Sequence, residues 1–234
     1  MNRGTFFWLL SVAIAAALLV TPATHDPIIA ATKVHPLCMG FIKFAILATI
    51  GEFLGVRVGS GEWKKPVGLI WRALVWGILG AMIAMAFQVY YAGAIAVMSN
   101  GLLPGKDSAY HFYITAFWTS FLMNATFGPM MMTAHRFSDA YIDLVGGKVL
   151  TRHATFAEVV ARIDWRQFYG FVIGITCPFV WLPLHALTFM APPEYRVLIA
   201  AILSVLFGAL LAFAARRKKG LKDSVSTKHQ KEYA

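Results

Sequence analysis

Charge is scarce in this chain. Of 234 residues only 14% are charged while 59% are hydrophobic. Soluble domains run at roughly a quarter charged and half apolar, so too little polar surface exists here to cover a water-facing globule. Acidic residues are scarcer still: 11 against 21 Lys and Arg, for a net charge of +10. Cysteine is limited to Cys38 and Cys177. Both fall in apolar segments without CxxC or zinc-type spacing, which reads as small core residues. The sequence has no HExxH, no GxSxG elbow, no P-loop and no GxGxxG, so no catalytic residue, cofactor or metal is assigned by motif and an enzyme is not expected. It also lacks internal repeats and low-complexity tracts, which weakens an inverted-repeat transporter reading.

Long apolar runs are what it does have. A helix rises about 1.5 Å per residue and the hydrocarbon core is about 30 Å thick, so roughly 20 apolar residues suffice to span it. Six spans are expected, near 5–21, 36–56, 67–98, 109–134, 167–189 and 193–215, giving an all-α membrane bundle. The third exceeds what a bilayer needs and should tilt or protrude. The fifth carries Pro178 and Pro183, which should kink or divide it. Residues 1–215 then form one transmembrane domain, with 1–24 a signal-anchor-like span and 216–234 a basic tail. The run from Phe6 to Thr21, behind Arg3 and ahead of Pro22, Ala23 and Thr24, also fits a cleaved signal peptide, which would leave five spans.

The cations lie between and after the apolar runs rather than along one soluble face, so membrane topology explains them better than nucleic acid does. With the N-terminus inside, 17 of the 21 Lys and Arg fall on inner segments. Only Lys33, Lys106 and Arg196 are outside and Lys43 is intramembrane, a bias that places both termini in the cytoplasm. The tail beginning Arg216, Arg217, Lys218, Lys219 either attracts anionic lipid or simply fixes topology. Phe156, Val159, Val160 and Ile163 recur at helical spacing, which predicts a short helix on the inner surface. Trp63, Trp71 and Trp165 sit where an inner aromatic belt belongs.

Polar groups inside hydrocarbon are costly, so they are the first place to seek function. Lys43 and Glu52 are nine residues apart, about 13 Å of rise and half a turn out of phase, and cannot pair within one helix. Arg57 or Arg72 could reach Glu52 at the inner end. Lys43, Gln88, His111, Asn124 and His185 could line a polar track that Glu52 closes; interhelical hydrogen bonding is the plainer alternative. His135, Asp139 and Asp143, at i, i+4 and i+8, could hold a divalent ion or form a solvated helix end beside Arg136. Gly51 with Gly55 and Gly170 with Gly174 predict close helix approach, within one chain or in a homo-oligomer.

On His35–Pro36, Gly51–Glu52, Arg72, Gly80, Tyr90–Tyr91, Pro129 and the late series Trp181, His185, Thr188, Phe189, Pro193 and Arg196, the chain resembles the Mpv-seventeen / peroxisomal membrane protein (PMP-twenty-two) family over residues 35–215. Departures are Glu52 for an aspartate, His185 for a glutamine, Thr188 for an asparagine, Met123–Asn124 for an Asp-Gln pair, Arg196 one residue early, an added first span and a long basic tail. The resemblance implies a divergent, prokaryotic-type member with a channel-like or transport-related role for ions or small solutes in membrane homeostasis. It would lie in the inner membrane if prokaryotic, and in the mitochondrial inner or peroxisomal membrane if eukaryotic. A non-transporting scaffold or assembly factor is the alternative.

Overall fold

Backbone in hydrocarbon must satisfy its own N–H and C=O groups, and a helix does so within one segment. A computed structural model describes residues 3–209 and 213, and every regular element among them is helical. In chain order these are α1 (Arg3–Val20), α2 (Pro22–Val34), α3 (Pro36–Ser60), α4 (Leu69–Ser99), α5 (His111–Ala125), α6 (Phe127–Leu144), α7 (Phe156–Arg162), α8 (Trp165–Met190) and α9 (193–209). Four of the described helices, α1, α3, α4 and α8, are long and apolar enough to cross a membrane. The basic tail at 216–234 lies outside the described residues.

Three expectations of local structure are corrected, each for a proline-related reason. The stretch 22–35, read as a loop, is the helix α2, opened by Pro22. It ends at His35 (φ −128°, ψ 62°), which is kept out of the helical region by the ring of Pro36, the first residue of α3. The single span at 109–134 is two helices broken at Thr126 (φ −124°, ψ −71°). Pro129 has no N–H to return to the Ala125 carbonyl, so the first turn of α6 is a natural place for the chain to restart. In α8, of the two outcomes expected at Pro178 and Pro183, kinking or division, division does not occur, since Trp165–Met190 runs as one helix. Residues Phe168–Trp181 adopt wide π-helical turns instead, and the Leu182 N–H donates to the Cys177 carbonyl five residues back.

The core joins α3, α4, α5, α8 and α9 through Phe44, Ile83, Phe87, Met123, Phe189 and Ala201. Close approach comes from an unexpected pair, Gly40 of α3 and Gly80 of α4, where each backbone carbonyl occupies the space a Cβ on the other would need. Of the glycine pairs read as packing motifs, Gly51 faces Val205, Gly55 and Gly170 face open space, and Gly174 meets only Tyr169 of its own helix. α1 buries no residue. It is tethered by the Trp8 indole, which donates to the Ile50 carbonyl (3.0 Å), and by the Trp63 indole, which donates to Thr5 Oγ1 (2.9 Å).

α7 is the short helix expected from the apolar spacing. Thr155 Oγ1 accepts from the Glu158 N–H and the Glu158 carboxylate accepts from the Thr155 N–H at 2.7 Å, forming a capping box. The Thr155 backbone N–H, and after it the Thr155 hydroxyl, hold the Glu158 carboxyl below the usual carboxylate range. A depressed carboxylate stabilises above its unfolded pKa and loses that contribution as pH falls through the folded value. Protection factors across Phe156–Arg162, with the intrinsic exchange rate at each pH divided out, should therefore fall on acidification through the carboxylate range. The Thr155→Ala variant, which removes a cap of about 1 kcal/mol, should show the lower protection already at neutral pH.

Candidate functional site

Arg72, in the first turn of α4, is the hub of a charged cluster. Its Nη1 donates to Asp139 Oδ1 and its Nη2 to Asp143 Oδ1, both at 2.7 Å, and its Nε donates to the Val67 carbonyl at 2.9 Å. Glu52 Oε2 of α3 lies 3.6 Å from Nη1. Of the two arginines within reach of Glu52, Arg72 is the partner. The spacing that puts Asp139 and Asp143 one turn apart on α6 presents both to one planar guanidinium fork. Trp76, one turn after Arg72, donates its indole N–H to Glu52 Oε1 (3.2 Å) and packs its ring 4.1 Å from that of His135. His135 Nδ1 stands 3.7 Å from Asp139 Oδ2.

Ligand atoms of Glu52, His135 and Asp139 lie within 4.8 Å of one another. Their donor chemistry suits a divalent ion. Arg72 nonetheless already occupies Asp139 Oδ1 and the approach to Glu52. The guanidinium thus supplies the positive charge that the carboxylates require, and the trio is best described as an ion cluster tying α3, α4 and α6.

Beside the cluster lies a partly open cavity of about 420 Å³ lined by residues of α3, α4, α5, α6, α8 and α9. Two groups of polar residues line it, His135, Arg136, Asp139, Asp164 and Gln167 in one and Asn124, Trp181 and His185 in the other, with Ser204 on α9; the rest of the lining is mainly Phe, Met, Ile and Val side chains. Arg136, Asp164 and Gln167 are exposed, whereas Asn124 and Trp181 are buried. Asn124 donates to the Ser120 carbonyl (2.8 Å) and its amide lies 3.2 Å from His185 Nδ1. The Trp181 ring stacks on His185 at 5.3 Å and meets Phe207 edge-on at 4.8 Å. Among the described residues, two buried side-chain nitrogens have no protein hydrogen-bond partner: Trp181 Nε1 and His135 Nε2. Both residues line this one cavity.

The residues expected to form a polar track separate into five places. Asn124 and His185 share the cavity, and Glu52 belongs to the adjacent ion cluster. Lys43 is buried and donates to Thr32 Oγ1 of α2 at 2.8 Å. Gln88 is exposed on α4. His111 starts α5, with Nδ1 3.2 Å from the Gly105 carbonyl and Nε2 3.5 Å from Thr115 Oγ1. Neither Lys43, Gln88 nor His111 lines the cavity.

Positions that carry the family resemblance have definite structural roles. His35 and Pro36 form the α2–α3 corner. Gly51 admits Val205, and Gly80 admits the α3 backbone. Tyr90 Oη is 2.7 Å from Thr126 Oγ1 at the α5–α6 break, three residues before Pro129. The Arg196 guanidinium lies 4.4 Å over the Tyr91 ring and 5.6 Å from the fully buried Phe189 ring, and its Nε donates to the Ala191 carbonyl (2.9 Å). Pro193 opens α9.

Sequence reasoning picked out Asn124 but missed Thr115, Thr119 and Ser120, buried with it in one row on α5. Ser120 Oγ donates to the Leu182 carbonyl (2.7 Å), bonding α5 to α8. The signal was present as small polar residues at helical spacing, but a search for charge passes over hydroxyls. Comparison with protein-family models, curated proteins and solved structures finds no match to this chain.

Proposed function

We propose that this chain is a six-pass integral membrane protein, with both termini in the cytoplasm, that binds a small molecule inside its bundle in a transport-related role. In this reading α1, α3, α4, α8 and α9 each cross once and α5–α6 crosses as a broken pair. The cation bias then sets the Arg72 end inward. The resemblance to the Mpv-seventeen family supports the same class of role. The single observation that carries it is the cavity: about 420 Å³ is within the roughly 300–1,000 Å³ of ligand sites, and its lining is mostly apolar with a few polar side chains. With Lys43, Gln88 and His111 outside that space, a carrier with access from one side fits better than a continuous pore.

Cysteine accessibility tests this. With Cys38 and Cys177 replaced by alanine, Gln167→Cys and Asn124→Cys should react with an impermeant maleimide applied to the Arg72 face of proteoliposomes. Asn124→Cys should react the more slowly, and neither should react from the opposite face. Silence at Asn124→Cys from both faces would leave a closed bundle. The scaffold reading would then stand, supported already by the Lys43–Thr32 bond, which joins α2 to α3 without lining any space for a solute. Steady single-channel conductance in planar bilayers would instead favour a pore.

A further inference from the structure

One face of α4 repeats apolar residues at helical spacing, Trp71, Leu74, Val75 and Ile78, yet Leu74 and Ile78 stay exposed. With Phe137 and Tyr141 of α6 they line an open groove of about 400 Å³ that shares no residue with the cavity beside the ion cluster. To the same groove α7 contributes Phe156 and Val159, and the α6–α7 loop Val149 and Ala154. That loop lies at the Arg72 end of α4, where Gly147 approaches Gly68. Its Arg152 N–H donates to the Lys148 carbonyl at 2.9 Å, an α-turn that brings these two cations to one side. Both are exposed, and among the described residues neither side chain has a hydrogen-bond or ion-pair partner. The neighbouring carboxylates are engaged: Asp143 accepts from Arg72, Glu158 from the Thr155 N–H and Asp164 from the Gln167 N–H. Leu150 and Phe156, on the same stretch, are 78% and 75% exposed. Large bare apolar side chains beside unpaired cations suit neither water nor hydrocarbon alone; they suit the headgroup boundary of a bilayer.

We infer that the groove seats one acyl chain of an anionic glycerophospholipid, whose phosphate lies against Lys148 and Arg152. This rests on the membrane reading above, which puts the Arg72 end at the inner leaflet, and is independent of what the cavity binds. Charge selects the occupant. The chain's own tail, with seven Lys and Arg after residue 215, would bring cations to cations, and a second copy joined through the same face would do likewise. A zwitterionic lipid supplies the acyl chain, but its own ammonium offsets its phosphate, so it gains less from the pair.

The test places the full chain in phosphatidylcholine nanodiscs with a trace of photoreactive lipid, either phosphatidylglycerol or phosphatidylcholine, each carrying a diazirine midway along one acyl chain. After irradiation, adducts are mapped by peptide mass spectrometry and scaled to those on Ile46 and Phe179, exposed residues of α3 and α8. Adducts on Leu74, Val75 and Phe137 should be about twenty-five-fold more abundant from the phosphatidylglycerol probe, at about fivefold for each cation. They should saturate as unlabelled phosphatidylglycerol replaces phosphatidylcholine. Lys148→Gln with Arg152→Gln should erase that preference and leave the melting temperature unchanged, since both side chains are exposed and unpaired. Ser138→Phe should remove the groove adducts of both probes by putting a ring into the groove, at a position where the native hydroxyl bonds only the Ala134 carbonyl of its own helix. Equal groove labelling by the two probes, or a preference unchanged in the double variant, would overturn the headgroup assignment. Groove adducts no greater in wild type than in Ser138→Phe would overturn the seat itself. In both cases adducts on Ile46 and Phe179 would keep the membrane reading standing, whereas their absence would overturn that reading as well.

Discussion

Replacing Arg72 by glutamine should lower the melting temperature of the detergent-solubilised protein by roughly 10 °C. The substitution strips the counter-charge from Glu52, Asp139 and Asp143 at once. Side-chain exposures of 10% for Arg72, 18% for Glu52 and 15% for Asp139 put most of the cluster out of water, while Asp143 is 43% exposed. Removing one partner of a buried pair costs about 3–5 kcal/mol, because the remaining charges cannot be hydrated. At roughly 2–4 °C per kcal/mol for a chain of this size, that gives the stated shift. The arm to Asp143 is solvent-screened, so Asp143→Asn should cost under about 1 kcal/mol. Arg72→Lys should fall between wild type and Arg72→Gln, since an ammonium cannot present the planar fork that meets both aspartates. Combining Arg72→Gln with Glu52→Gln and Asp139→Asn should recover part of the loss. An Arg72→Gln variant melting within about 2 °C of wild type would show that the cluster does not hold α3, α4 and α6 together.

That cluster illustrates how far residue spacing alone can reach. His135, Asp139 and Asp143 were visible as one face of a helix, and Glu52 as a carboxylate needing a cation from Arg57 or Arg72. Helical periodicity determines which residues of one segment face together. It does not determine which helices become neighbours, and only that neighbourhood chooses Arg72 and turns a metal-like trio into an arginine-filled ion cluster. The same limit explains the track. Lys43, Gln88, His111, Asn124 and His185 were grouped by depth, but rotation about each helix axis sends Gln88 to the surface and Asn124 to the cavity. Apolar run length located the cores of α1, α3, α4, α8 and α9 well. It misplaced α2 and the α5–α6 break, where prolines and Thr126 decide the chain path locally and average hydropathy is insensitive to them.

Glycine spacing found one close approach within the chain, Gly51 against Val205 of α9, but passed over the tighter pair from which the most disruptive substitution expected in the bundle comes. In lipid the apolar surfaces of helices gain little by leaving the solvent, so α3 and α4 must associate through close van der Waals contact. Gly40 and Gly80 make that contact. A Cβ on Gly80 would sit 2.4 Å from the Gly40 carbonyl oxygen and 2.5 Å from Phe44 Cβ, and one on Gly40 would sit 2.6 Å from the Gly80 oxygen. The obstacles are backbone and Cβ atoms, which cannot swing aside as the end of a flexible side chain can. Gly80→Ala should improve helix propensity by about 1 kcal/mol yet lose about 1–3 kcal/mol or more by forcing α3 and α4 apart. Gly80→Leu should prevent accumulation of folded protein altogether. Gly93 lies on the same helix, and a methyl group added there would meet nothing within 4 Å, so Gly93→Ala receives the propensity gain without the clash and should melt at or above wild type. Size-exclusion profiles and melting curves of the three variants decide the matter. If Gly80→Ala matched Gly93→Ala, the α3–α4 crossing could not be held by backbone proximity, and the pair would have no greater role than the Gly51 and Gly55 positions that spacing had singled out.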